Sequence, residues 1–458
     1  MTDAERVDVV VLGLGVGGEE AAGRLAQAGL SVVGIERRLV GGECPYFACV
    51  PTKMMVRAAD LLTDARRVGE LAGHADVRPD WGQVARRIRD EATDDWNDQV
   101  AVDRLVGKGV RFVRGEGRLT GPDTVAVRPA DGSGELVFRA DRAVIVGSGT
   151  EPAAPPVPGL ADTPYWTNRD AVRATELPAS LLILGGGPIG CEFAQVFARF
   201  GVAVTVLEAA DRLLPGEEPE SSDLVRSAFA ADGVTVRTGT AVEHVGHDWR
   251  GFTARVGGEE HVAGRLLVAT GRRTELAELG IAAAGLPDGK FIATDDRMRA
   301  GGALYAVGDV TEHGGFTHMA MYQADIAVRD ILGQGGFSAD YRAVPRVTFT
   351  DPEVGAVGLT AAQAAKAGID TLIGTADVAA ETRGWIHKAG NAGVVKLVAD
   401  RDRNVLVGAT SVGPCGGEVL AALTLAVHAE VPIDRLRSMI DAYPTFHRAI
   451  GTAVASLG

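Results

Sequence analysis

The same short pattern occurs twice in this chain. Val7 to Leu12 is an apolar run that leads into Gly13-Leu14-Gly15-Val16-Gly17-Gly18, then a helical pattern through Ala28, then a second apolar run, Ser31 to Ile35, that stops at Glu36. Leu181 to Leu184 leads likewise into Gly185-Gly186-Gly187-Pro188-Ile189-Gly190, a helical pattern to about Phe200, and the run Ala203 to Leu207, which stops at Glu208. In both copies the acidic residue stands 18 positions after the third glycine. Strand, glycine turn, helix and parallel strand form the unit from which doubly wound α/β sheets are built, so two copies require two such lobes.

Each copy has the chemistry of a dinucleotide site. The first glycine (Gly13, Gly185) permits the tight turn, and the second (Gly15, Gly187) lets a pyrophosphate approach the positive end of the helix. The third (Gly18, Gly190) lets helix and strand pack, and the carboxylate (Glu36, Glu208) accepts from a ribose hydroxyl. One such motif is a weak signal, but two complete copies at identical spacing imply two dinucleotide sites.

Further strand-and-glycine segments close the two lobes. Ala143-Val144-Ile145-Val146-Gly147-Ser148-Gly149-Thr150 precedes a proline-rich connector, Leu266 to Arg272 with Gly271 occupies the matching place in the second copy, and Ala303 to Val307 runs into Gly308-Asp309. From about Tyr341 the pattern changes to strands with helices and no fingerprint. The expected organisation is a first dinucleotide domain over 1–150, resumed at 275–340, a second one inserted at 151–274, and an α+β domain at 341–458.

A chain of 458 residues is too long for one core. Its net charge of −14 and lack of a basic stripe argue against nucleic acid as a partner. The longest uncharged stretch, Leu177 to Cys191, falls short of the ~20 residues of a membrane span, and the acidic start lacks the basic flank and apolar core of a signal peptide. A soluble cytoplasmic protein without a membrane partner is expected, and four cysteines there point away from a disulfide scaffold.

Two of those cysteines stand five positions apart in Gly41-Gly42-Glu43-Cys44-Pro45-Tyr46-Phe47-Ala48-Cys49-Val50-Pro51-Thr52-Lys53. They precede a predicted helix from Thr52 to about Arg66. A helix N-terminus and a nearby lysine both favour the reactive thiolate. A thiol pair beside a bound dinucleotide suits passage of two electrons. Cys191 and Cys415 are isolated and are read as packing residues. No metal-ligand cluster is read from the sequence.

At this point the chain resembles the pyridine nucleotide-disulfide oxidoreductases, the group of dihydrolipoamide dehydrogenase, glutathione reductase and mercuric reductase. The resemblance runs over essentially the whole length. It rests on both fingerprints, on C-x-x-x-x-C-x-P-T-K, on Ala306-Val307-Gly308-Asp309, and on Val344-Pro345 with Thr350-Asp351-Pro352-Glu353-Val354-Gly355 and Val357-Gly358-Leu359-Thr360. It implies FAD in the first site, with Gly13, Gly15, Gly18, Glu36, Gly42, Lys53, Gly117, Gly149 and Asp309 around it. It implies a nicotinamide in the second, with Gly185, Gly187, Gly190, Glu208 and Gly271. Glu36 would bind the FAD ribose and Asp309 the ribityl chain. Lys53 would lie near the flavin, paired with Glu192, and a redox-active Cys44–Cys49 disulfide would have Cys49 facing the flavin and Cys44 the substrate. The C-terminal domain would make a homodimer whose subunits share each active site.

Glu208 favours NAD(H) over NADP(H), because a carboxylate repels a 2′-phosphate, although Arg212 and Arg272 remain basic groups that would reach one. The far end departs from the family pattern. Where disulfide-reducing relatives have a histidine and, five residues on, a glutamate, this chain has Tyr443 and Arg448. With a reference pKa near ~10, tyrosine is a poor base at neutral pH. His447 stands one turn further along as a substitute, with a surface histidine as the plainer reading. The other histidines, His318 and His428 among them, read as ordinary packing or surface residues. The spacer Pro45-Tyr46-Phe47-Ala48 is bulkier than the small or amide-bearing spacers of many relatives.

The expected function is an FAD-dependent NAD(P)H oxidoreductase using Cys44 and Cys49 on a small acceptor that needs no His–Glu dyad: a metal ion, a quinone or other electrophile, or an unusual disulfide. Mercury is less favoured, since 455–458 carry no cysteine pair of the mercuric reductase kind. The alternatives are a dihydrolipoamide dehydrogenase-like or other thiol-disulfide enzyme, including a dithiol oxidase, with Tyr443 or His447 in the proton role, and a flavin-bearing NADH-binding redox sensor.

Overall fold

The computed structural model describes residues 4–287 and 289–457. They form two compact units, each woven from three stretches of chain: residues 4–51, 86–152 and 272–341 in the first, and 52–85, 153–271 and 342–457 in the second. Residues 52–85, inside the expected first segment, pack with the second unit. Among the described residues no helix is long and apolar enough to cross a membrane.

The first unit is built around a seven-stranded sheet. Glu5–Leu12 pairs in parallel with Val32–Glu36 on one side and with Leu136–Val146 on the other. Arg111–Leu119 and Leu304–Ala306 extend it outward in parallel. Thr124–Pro129 pairs antiparallel with both Arg111–Leu119 and Leu136–Val146. Alternation along the central strand assigns its residues to two cores. Val9 and Val11 belong to one with Leu14, Leu25 and Ile326, while Val10 and Leu12 belong to the other with Phe138, Leu276 and Ile281. A parallel strand buried on both faces reads as an unbroken apolar run for this reason.

The second unit contains three sheets. A four-stranded parallel sheet has the order Arg265–Val268, Ser180–Leu184, Ala203–Leu207, Thr235–Arg237. A three-stranded antiparallel sheet spans His244–Asp248, Gly251–Val256 and Glu259–Ala263. A five-stranded antiparallel sheet of Pro345–Thr348, Glu353–Gly358, Val405–Gly413, Val394–Asp400 and Thr371–Asp377 buries one face under the helices Gly416–His428 and Arg448–Ala455. The α/β class with a C-terminal α+β domain is as the sequence predicts.

Candidate active site

The two fingerprint loops have nearly the same backbone. Gly13 and Gly185 have φ of +92° and +105°, a region that favours glycine, and the second glycines, Gly15 and Gly187, cap the following helices in extended conformation. A Cβ on Gly18 or on Gly190 would lie 2.0 Å from the carbonyl oxygen of Gly13 or Gly185. A Cβ on Gly187 would meet nothing within 4 Å, and one on Gly15 would meet only Gly147 O at 3.9 Å. The first and third glycines are therefore demanded by the fold, whereas the second leave space at a helix N-terminus.

The acidic residues match as well. Glu36 accepts from the N–H groups of Leu14 (2.8 Å) and Arg38 (2.7 Å), and Glu208 accepts from those of Gly186 (2.5 Å) and Ala210 (2.7 Å). Burial pushes the Glu36 carboxyl above its ordinary range, against the pull of those N–H groups and of Arg114 and Arg37.

A cavity of about 870 Å³ opens in the first unit beside its fingerprint, lined among others by Gly13, Glu36, Gly117, Ser148, Gly149 and Thr150. Its size suits a large ligand. Ser148 Oγ is buried there without a hydrogen-bond partner among the described residues, a group that a bound polar ligand would satisfy. Gly117 has a packing reason to be glycine, since its Cβ would lie 2.5 Å from Leu12 Cδ1. Gly149 has φ +66° with open space before it, and Gly271 in the second unit has φ +120° with equal room.

Asp309 accepts from Thr150 Oγ1 at 3.0 Å and from the N–H of Gly315 at 3.0 Å. Arg272 completes this cluster by donating to Thr150 Oγ1 and Thr150 O, both at 2.7 Å. It belongs to the first unit. Arg212 donates to the carbonyls of Pro215 and Glu217. Sequence reasoning missed Arg272 as a partner of Asp309; its only local signal was its place directly after Thr270-Gly271.

The thiol segment reaches the fingerprint through two left-handed glycines. Gly41 and Gly42 have φ of +99° and +68°; the N–H of Gly41 donates to Leu14 O at 2.7 Å, and a Cβ on Gly42 would lie 2.9 Å from Gly15 Cα. Cys44 sits half-buried in the short helix Glu43–Tyr46. Cys49 is the first residue of the helix Cys49–Arg67, which starts three residues earlier than predicted because Pro51 is tolerated in a first helical turn. Cys49 Sγ lies 3.2 Å from Thr317 Oγ1, at the first residue of the helix Thr317–Ile331. Cys191 is fully buried with its thiol pushed up by burial, and donates to Gly186 O, a packing residue as expected.

In the second unit Lys53 Nζ donates to Glu192 Oε2 at 2.6 Å and lies 4.6 Å from the centre of the Phe349 ring. Glu192 is buried, and its other oxygen accepts from the N–H of Phe349 at 3.0 Å. Further along the helix Pro188–Arg199, which carries Glu192, Gln195 accepts from the N–H of Asp351, while Arg199 donates to Asp60, Asp232 and Asp351.

At the C-terminal end the Tyr443 side chain is exposed and its hydroxyl donates to Thr382 Oγ1 at 3.3 Å. The Arg448 guanidinium lies 5.5 Å from the centre of the Tyr443 ring. His447 immediately precedes the helix Arg448–Ala455. Arg448, five residues after Tyr443, occupies the sequence position expected for the glutamate of a dyad.

The sequence profile described as pyridine nucleotide-disulphide oxidoreductase matches residues 7–324, and that of the same family's dimerisation domain matches residues 344–454. The chain belongs to the pyridine nucleotide-disulphide oxidoreductase family. It is 34% identical to a dihydrolipoyl dehydrogenase of Halobacterium salinarum, over 96% of this chain and 94% of that one. It is 32% identical to a mercuric reductase of Acidithiobacillus ferrooxidans, over 97% and 81%. Among solved structures it superposes on the Cu(II) complex of the HOCl-induced flavoprotein disulfide reductase RclA from Escherichia coli with a TM-score of 0.87, at 26% identity over 98% and 99% of the two chains.

Members of this family are oxidoreductases that use FAD and NAD(P)H. The open second glycines, the paired carboxylates and the unsatisfied Ser148 hydroxyl fit two such dinucleotides. Among the described residues no group of three or more His, Cys, Asp or Glu side chains is placed to hold a metal ion.

Proposed function

We propose that this chain is an FAD-dependent NAD(P)H oxidoreductase that cycles a Cys44–Cys49 disulfide, as a cytoplasmic homodimer, and passes the electrons to an acceptor needing no His–Glu dyad. FAD would bind along the first fingerprint and relay the electron pair of a nicotinamide bound at the second. Glu36 and Asp309 are the groups offered to its ribose and ribityl hydroxyls, and Glu208 is the group offered to the nicotinamide dinucleotide, with NADH preferred. Lys53, held by Glu192, supplies a fixed positive charge one helical turn beyond Cys49. Cys44 and Cys49 take two electrons and two protons to become thiols, and return both when the disulfide reforms.

One observation carries the choice of acceptor: the positions of the dyad hold Tyr443 and Arg448, joined as cation and ring. A disulfide substrate leaves a thiolate that must be protonated beside Cys44. Two metal ions reduced by one electron each leave none, and both thiol protons go to water. A metal ion is therefore the favoured acceptor, ahead of a quinone or other electrophile or an unusual disulfide, and the likeness to the copper complex of RclA supports it. Steady-state NADH oxidation by the FAD-loaded chain should be fastest with Cu(II) and should collapse in Cys44→Ser. Turnover of lipoamide within about tenfold of the best acceptor, a barrier gap under ~1.4 kcal/mol, would overturn this choice.

Identity to dihydrolipoyl dehydrogenases favours a second reading, thiol-disulfide exchange on a lipoamide-like substrate with Tyr443 or His447 in the proton role. The same assay decides between the two.

A further inference from the structure

Residues 93–97 make a turn that neither fingerprint requires. After the π-helical turn Ile88–Ala92, three successive non-glycine residues are left-handed: Asp94 at φ +47°, Asp95 at +53° and Trp96 at +57°. Aspartate tolerates this region, but a bulky aromatic residue rarely enters it, and such a run persists only where its surroundings over-determine it. Here they do. The buried Thr93 hydroxyl donates to Ile88 O and accepts from the N–H of Trp96 at 3.3 Å. The N–H of Asp95 donates to Arg89 O at 2.7 Å, and that of Asn97 donates to the carbonyls of Thr93 and Asp94.

The turn aims one indole. Trp96 Nε1 donates to Tyr46 O at 3.2 Å. Tyr46 lies between the two cysteines and ends the short helix that carries Cys44, where backbone carbonyls lack intrahelical partners. Two residues past Trp96, the carboxylate of Asp98 accepts from the N–H of Val40 at 2.7 Å, just ahead of the thiol segment. The strained turn thus grips the cysteine segment in its middle and at its entry.

We propose that Trp96 is a positioning residue for the Cys44–Cys49 pair, holding the Pro45-Tyr46-Phe47-Ala48 spacer so that each thiol stays within reach of the other. The inference rests on the reading of that pair as redox-active. A held spacer raises the effective concentration of one thiol at the other and so favours the disulfide; a released spacer favours the dithiol. The half-reaction is the one given above, Cys44–S–S–Cys49 with two electrons and two protons giving two thiols.

The test is equilibration of the full-length, FAD-loaded chain against glutathione redox buffers, with the pair read by alkylation and intact mass. Trp96→Phe keeps a ring and removes the donor, and should shift the equilibrium toward the dithiol by about threefold or more. Thr93→Val undoes the turn from within while keeping the indole, and should shift it the same way. Asp95→Gly suits a left-handed site and should leave it in place. Wild-type equilibria in both Trp96→Phe and Thr93→Val would overturn the proposal, as would an equal shift in Asp95→Gly. Absence of any NADH-reducible Cys44–Cys49 pair in the wild type would instead overturn the proposed function.

Discussion

One carboxylate oxygen of Glu192 holds Lys53 Nζ at 2.6 Å while the other takes the backbone N–H of Phe349 at 3.0 Å. Lys53 and Asp60, seven residues apart on one helix, pair with Glu192 and Arg199, seven apart on another. Two ion pairs of opposite polarity fix the register of those helices, and the charge offered by Lys53 depends on both.

Glu192→Gln should leave the fold in place but free the Lys53 ammonium to swing. NADH-driven flavin reduction followed by stopped flow should slow roughly tenfold, about 1.4 kcal/mol of barrier. An unchanged rate would remove Lys53–Glu192 from the electron-transfer step.

The second fingerprint separates binding from folding. Gly187→Ala adds a methyl group to open space, so stability should hold to within about 1 kcal/mol while NADH affinity falls roughly tenfold. Gly190→Ala drives a Cβ into Gly185 O and should destabilise the chain by about 2–3 kcal/mol. Thermal melts and NADH titrations on both variants check the pair of outcomes.

Burial, opposed by Arg199 and reinforced by Asp351 and Asp64, pushes the Asp60 carboxyl up to about 6. An acid whose folded pKa exceeds its unfolded value of about 3.9 binds the proton more tightly when folded, so its contribution to stability is greatest at low pH and declines as pH rises between those values. Relative to Asp60→Asn, the wild type should lose melting temperature from about pH 4 to about pH 6 and run parallel above that. A constant difference across this window would contradict the assignment.

Tyr443→His combined with Arg448→Glu rebuilds the dyad that this chain lacks. Turnover of lipoamide or a small disulfide should rise by about a hundredfold or more, the lower range for a positioned base. The single Tyr443→His, with Arg448 still beside it, should gain far less. No gain in the double variant would mean that the thiol pair, not the proton relay, sets the acceptor.

The fingerprints, their paired carboxylates, the cysteine segment and the missing dyad were all legible in the amino-acid order. Each depends on residues close in sequence: the clash of a Cβ on Gly18 with Gly13 O, or of one on Gly190 with Gly185 O, arises within six residues. Tertiary structure alone decided that Arg272 serves Thr150 and Asp309, that Arg199 gathers Asp60, Asp232 and Asp351, and that Trp96 reaches Tyr46. Those partners lie from 33 to 152 residues apart and follow no helical or strand period. A hydrogen bond between distant residues leaves no trace in sequence until the sheets and helices that carry them are packed.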